Sequence, residues 1–113
     1  MKVFKSLLLL AVFFSAVPAI AGSYQGKVTG IFAYSGKVFI SVKNGSFDNP
    51  NTCTTQASGM SLWLDPALEY DKAMLSLALS AKVTDRLVWV AGGSCISGPS
   101  GKAAKLSAID FKG

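Results

Sequence analysis

Asp65-Pro66-Ala67-Leu68-Glu69-Tyr70-Asp71-Lys72-Ala73-Met74-Leu75-Ser76-Leu77-Ala78-Leu79-Ser80-Ala81-Lys82 is the stretch that decides the fold, because it is the one strong helix signal in a chain otherwise patterned for strands. Asp65 is suited to accept bonds from the free amides of a first turn, and Pro66 to sit where a missing N–H costs nothing. Glu69 and Asp71 lie towards the positive end of the helix dipole and Lys82 towards the negative end. At helical spacing Ala67, Tyr70, Met74, Leu75, Leu77, Ala78 and Ala81 share a broad apolar face, opposite Glu69, Lys72, Ser76 and Ser80. Asp71 points to the apolar side, close enough to the N-terminus that solvent is expected to reach it.

Strand signals flank the helix on both sides. Tyr24, Val28, Phe32 and Tyr34 alternate with Gln25, Lys27 and Thr29, which predicts a long half-buried strand over 24–34. Gly26 and Gly30 fall on its apolar face, where a bending strand often carries glycine. Ser35-Gly36 reads as a tight turn into a second strand with Val38, Ile40 and Val42 inside and Phe39, Ser41 and Lys43 outside. Asn44-Gly45 reads as its end. Residues 46–59 are polar and read as a long loop. Met60, Leu62 and Leu64 form the buried side of a third strand, with Trp63 opposite. After the helix, Leu87-Val88-Trp89-Val90-Ala91 predicts a fourth strand covered on both sides. Gly92 to Gly101 reads as a second loop, and 103–111 as a fifth strand. There Leu106 and Ala108 disagree in parity with Ile109 and Phe111, so a bulge is expected between them.

The resulting order, β-β-β-α-β-β, with coiling glycines in the first strand, matches a five-stranded OB-fold-like Greek-key barrel whose helix plugs one end. The fold class is thus mainly β with one helix. A three-stranded meander plus a hairpin, with the helix on one face, is the alternative.

Residues 1–21 have the form of a signal peptide. Lys2 and Lys5 precede an apolar run from Leu7 to Phe14, and Ala19-Ile20-Ala21 is a small-x-small cleavage site. The run is short for a membrane span and Pro18 interrupts it, so an uncleaved anchor is the lesser reading. Cleavage leaves residues 22–113, one domain destined for the periplasm or the outside of the cell, with no stable membrane insertion. A domain of this size buries only about 60–65% of its unfolded surface. A disulfide between Cys53 and Cys95, the only cysteines, is expected in that compartment. It would be worth roughly 4 kcal/mol by loop closure, less any strain.

Without Lys2 and Lys5, nine basic residues face six acidic ones. The lysines are scattered, with no cluster of the kind that tracks a nucleic-acid backbone, so nucleic acid is not the expected partner. The chain has no histidine, which removes the commonest general base and transition-metal ligand. No two carboxylates are forced together, and Ser94 beside Cys95 has no base partner. The glycine-rich segments 92–94 and 97–101 lack the lysine of a phosphate loop. Neither an enzyme, nor a metal site, nor a cofactor is expected. What is left is surface recognition. Phe39 and Trp63 lie opposite their strands' apolar sets, where they either stack on a ligand or pack beneath neighbouring elements. Trp89, inside an apolar strand, is the third candidate, with a core role as its alternative.

Ala81-Lys82-Val83-Thr84-Asp85-Arg86-Leu87-Val88-Trp89 resembles the end of the long helix and the following strand in cholera-type enterotoxin B subunits. Val42-Lys43-Asn44-Gly45 resembles the hairpin turn before the helix in those proteins, and Leu87 stands where that family carries a cysteine. Subtilase-type toxin B subunits share the exported layout more loosely. The resemblance implies a ring of five subunits that binds a cell-surface glycan, with Trp89 in the sugar pocket. Three functions follow as expectations: an exported non-catalytic module that binds a glycan or a protein partner, a pentameric toxin-like or lectin-like B subunit (a homo-oligomer), and a structural envelope accessory protein.

Overall fold

The computed structural model describes residues 22–49, 59–99 and 101–112. The expected signal peptide, Cys53 and most of the loop between the second and third strands lie outside the described residues. Five strands and one helix follow in the order β1 (Gly22–Tyr34), β2 (Lys37–Asn49), β3 (Gly59–Leu64), α1 (Glu69–Thr84), β4 (Leu87–Gly98) and β5 (Gly101–Phe111). The sheet closes into a ring in the order β1-β2-β3-β5-β4, with β4 returning to β1. All pairings are antiparallel except β3 with β5, which run parallel through Leu62↔Ala104 and Trp63↔Lys105.

The inner side of the ring is filled by alternate residues of each strand: Tyr24 and Val28, Ile40 and Val42, Met60, Leu62 and Leu64, Val88 and Val90, Ala104 and Leu106. Each large side chain fully withdrawn from water there contributes about 1.5–3 kcal/mol. The helix adds Met74, Ala78 and Ala81 to this core.

Several boundaries differ from the sequence reading. Asp65 and Pro66 form a turn ahead of the helix. The Leu68 amide donates to the Asp65 carbonyl oxygen (3.1 Å) and the Ala67 amide to Asp65 Oδ1 (3.0 Å). This is the Asp-Pro pattern of a tight turn, and α1 begins only at Glu69, with Leu68 as N-cap. The buried stripe of α1 is also narrower than the expected face. Ala67, Tyr70 and Leu77 are exposed, and Asp71 takes the inward position instead, only 2% exposed.

Asn44-Gly45 does not end β2. The strand continues to Asn49, pairing Phe47 with Tyr24 and Asn49 with Ser23. The Gly45 amide donates to the Tyr24 hydroxyl oxygen (2.8 Å), and Asn44 takes a left-handed conformation (φ 62°). The turn signal is therefore spent on a bulge inside a long, coiled hairpin. The loop expected over 92–101 is likewise mostly strand, because β4 and β5 extend as a hairpin from Cys95↔Ala104 to Gly98↔Gly101. The irregularity expected in β5 falls at Ser107: Leu106 pairs with Gly92 and Ala108 with Ala91.

Candidate functional site

One irregularity in β1 decides which aromatics reach the surface. Val28 pairs with Val42, but Gly30 pairs with Ser41, so Thr29 is an extra residue in the ladder. A bulge of one residue reverses the side-chain alternation. Ile31 therefore packs against the core, while Phe32 and Tyr34 turn outward, 40% and 55% exposed. The expected single face of Tyr24, Val28, Phe32 and Tyr34 is thus split in two.

The outward Phe32 joins a cross-strand row over four strands. Phe32 pairs with Phe39, Phe39 with Trp63, and Trp63 with Lys105. Phe32 and Phe39 stack with ring centroids 5.5 Å apart, and Tyr34 meets Phe39 edge-on at 6.5 Å. Phe39 itself is only 6% exposed. A Cβ on Gly98 would meet the Phe39 ring at 2.8 Å, so the β4–β5 turn is pressed against it. Phe39 is thus the floor of the site, with the tip of the β1–β2 hairpin on one side and the β4–β5 turn on the other.

Trp63 is half-buried and bordered by two ammonium groups. Lys37 Nζ lies 5.8 Å and Lys105 Nζ 5.5 Å from its ring centroid, within cation–π range. Lys105 donates to both oxygens of Asp71 (2.9 and 2.8 Å) and to the Leu106 carbonyl oxygen (3.0 Å). Asp71 Oδ2 also accepts the Asp65 amide (2.7 Å). The ion pair thus ties the start of α1 and the turn before it to β5, directly beside the aromatic row.

Two of the three aromatics singled out in the sequence, Phe39 and Trp63, are brought together. Trp89 is not with them. It lies half-buried on the outside of β4, between Gln25 and Asp110. Phe32, Tyr34, Lys37 and Lys105 were missed as site residues. No local signal could have found the first two, because Phe32 and Tyr34 keep the parity of Tyr24 and Val28. Among the described residues no group of three or more histidine, cysteine, aspartate or glutamate side chains is placed to hold a metal, and no helix is long and apolar enough to cross a membrane. No free cysteine thiol is found among the described residues. Cys95 lies in β4, and Cys53 is outside the described residues. No family model, curated protein or solved structure matches the chain.

Proposed function

We propose that residues 22–113 are an exported OB-type Greek-key barrel, disulfide-bonded between Cys53 and Cys95, that acts as a non-catalytic glycan-binding module. The ring order with parallel β3 and β5, and the helix between β3 and β4, support the OB reading. OB-type domains take oligosaccharides and oligonucleotides on the outer face of strands 2 and 3, between the β1–β2 and β4–β5 connections. The single observation that carries the function is the row Phe32–Phe39–Trp63, with Tyr34 beside it, on that same face. Exposed aromatic rings offer flat apolar surface to the C–H face of a sugar at little entropic cost. The double variant Phe32→Ala/Tyr34→Ala is expected to lose at least about fivefold in affinity on a glycan array or by titration, since two stacking contacts each add about 0.5–1.5 kcal/mol. Trp89→Ala should bind as the parent does. The opposite pattern, loss with Trp89→Ala alone, would move the site to the pocket that the toxin resemblance implies.

The second reading is a homo-oligomer of the toxin B-subunit kind, and the exposed apolar side chains of α1 favour it. Leu77, Leu79 and Val83 stand 43%, 46% and 85% exposed on a helix whose polar face was expected to meet water. Apolar surface of this kind commonly marks a contact between chains. Native mass spectrometry of residues 22–113 is expected to show a closed oligomer if those residues are covered. A discrete monomer would dismiss this reading. Denatured without reduction, the same sample should weigh two hydrogens less than the dithiol.

A further inference from the structure

Asn44-Gly45, in the bulge of β2, carries chemistry that neither the fold nor the aromatic face uses. An asparagine amide followed by glycine is open to attack by the next backbone nitrogen, because glycine has no side chain to obstruct it. Asn44 is exposed. It and Gly45 together face the single residue Gly26, between the pairs Lys27↔Lys43 and Gln25↔Ser46. Three features of this bulge oppose the attack. Asn44 sits at φ 62°, where a non-glycine residue is confined to ψ of about +30 to +60°. That range sets the Gly45 nitrogen almost opposite Asn44 Cβ across the Cα–C bond, whereas a five-membered imide needs the two on the same side. The Gly45 N–H is donated to the Tyr24 hydroxyl oxygen (2.8 Å), and Tyr24 is only 1% exposed. The Gly45 backbone is also seated directly on the Gln25 carbonyl, where even an added Cβ has no room.

We propose that Asn44 is a deamidation site gated by the β1–β2 hairpin, blocked while the bulge is closed and released when it opens. In the open hairpin Asn44 ψ rotates, and the Gly45 nitrogen gives up its proton to water or hydroxide and attacks Asn44 Cγ. The Cγ–Nδ2 bond breaks and ammonia leaves, so that a cyclic imide joins the two residues. Water then opens the imide at either carbonyl, giving aspartate or isoaspartate at position 44. Water is consumed and ammonia released, with no change of oxidation state. The imide nitrogen carries no hydrogen and cannot donate to Tyr24. The isoaspartyl backbone is longer by one carbon and does not fit the seat of Gly45 on Gln25. Local opening therefore exposes the chain to a step that keeps the hairpin from closing again. The inference is independent of what the aromatic face binds.

The test incubates the mature protein in warm, mildly alkaline buffer and follows residue 44 by peptide mapping and by isoaspartyl methyltransferase labelling. Folded protein is expected to deamidate there at least about tenfold more slowly than the same protein unfolded in urea, since opening must come first. Tyr24→Phe removes the acceptor of the Gly45 amide and should speed the folded-state reaction about two- to tenfold, as the loss of one hydrogen bond predicts. Ala78→Gly weakens α1 by about 1 kcal/mol without touching the hairpin, and should leave the rate within about twofold of the parent. The isolated isoaspartyl form should lose hydrogen-exchange protection at Gly45. Equal rates in the folded and unfolded protein overturn the inference, as does a Tyr24→Phe variant no faster than the parent. Equal acceleration by Ala78→Gly and Tyr24→Phe also overturns it, because global unfolding is then the gate.

Discussion

Replacing Lys105 by methionine is expected to destabilise the domain by about 3–5 kcal/mol, the usual cost of stranding one partner of a buried ion pair. The partner left behind is Asp71, whose side chain is 2% exposed and which has, among the described residues, only the Asp65 amide as its other donor. Asp71→Leu should cost less, because the Lys105 side chain is 22% exposed and its ammonium can extend towards water. The double variant Lys105→Met/Asp71→Leu should recover much of the loss, since no charge is then stranded. Urea midpoints of the four proteins, read by circular dichroism, measure this. For a domain of this length, 3 kcal/mol corresponds to a drop in Tm of at least about 12 °C. If Lys105→Met costs under about 1 kcal/mol, the pair contributes no more than a surface contact and does not secure the helix to β5.

The second large effect is expected at Gly45. A Cβ there would run into the carbonyl oxygen of Gln25, with Gln25 C at 2.7 Å and Gly26 Cα at 2.8 Å. All three atoms are backbone, so no side chain can move aside. Gly45→Val should cost about 4 kcal/mol or more, or prevent folding, because it forces β1 and β2 apart where Tyr24 ties them together. Gly93→Ala is the matched control. Its added methyl group would meet nothing closer than the Lys105 carbonyl oxygen at 3.9 Å, and a change within about 0.5 kcal/mol is expected, as for surface substitutions generally. Equal stability of the two variants in denaturant would show that the long hairpin does not close at Gly45.

Both positions show where the sequence was legible and where it was not. Alternation correctly assigned the inner and outer residues of β2 and β3, and so placed Phe39 and Trp63 on the outside. It failed where an extra residue shifted the parity without a local sign, at Thr29 and at Gly45. The bulge at Ser107 could be anticipated because two apolar sets in β5 visibly disagreed. The one at Thr29 could not, because Phe32 and Tyr34 continue the alternation of Tyr24 and Val28 without a break. Only pairing to β2 shows that the strand has slipped. Asn44-Gly45 illustrates the same limit from the other side. The dipeptide does bend the chain, but Tyr24, distant in sequence, supplies the contact that makes the bend a bulge instead of an end.

The sequence by itself determined the order of the elements among the described residues, with one helix between the third and fourth strands. It also determined the lack of histidine, because composition and local periodicity require no partner to be read. The tertiary structure decided the rest. Closing the ring placed β5 beside β3 and so brought Lys105 to Trp63. It also put Asp71, expected near solvent, into the interior opposite that lysine. The bulge in β1 then turned Phe32 and Tyr34 out onto the same face. None of these three outcomes is encoded within a window of neighbouring residues. Each depends on which strand lies alongside which, and that is fixed by burying the alternate apolar residues of all five strands in one core.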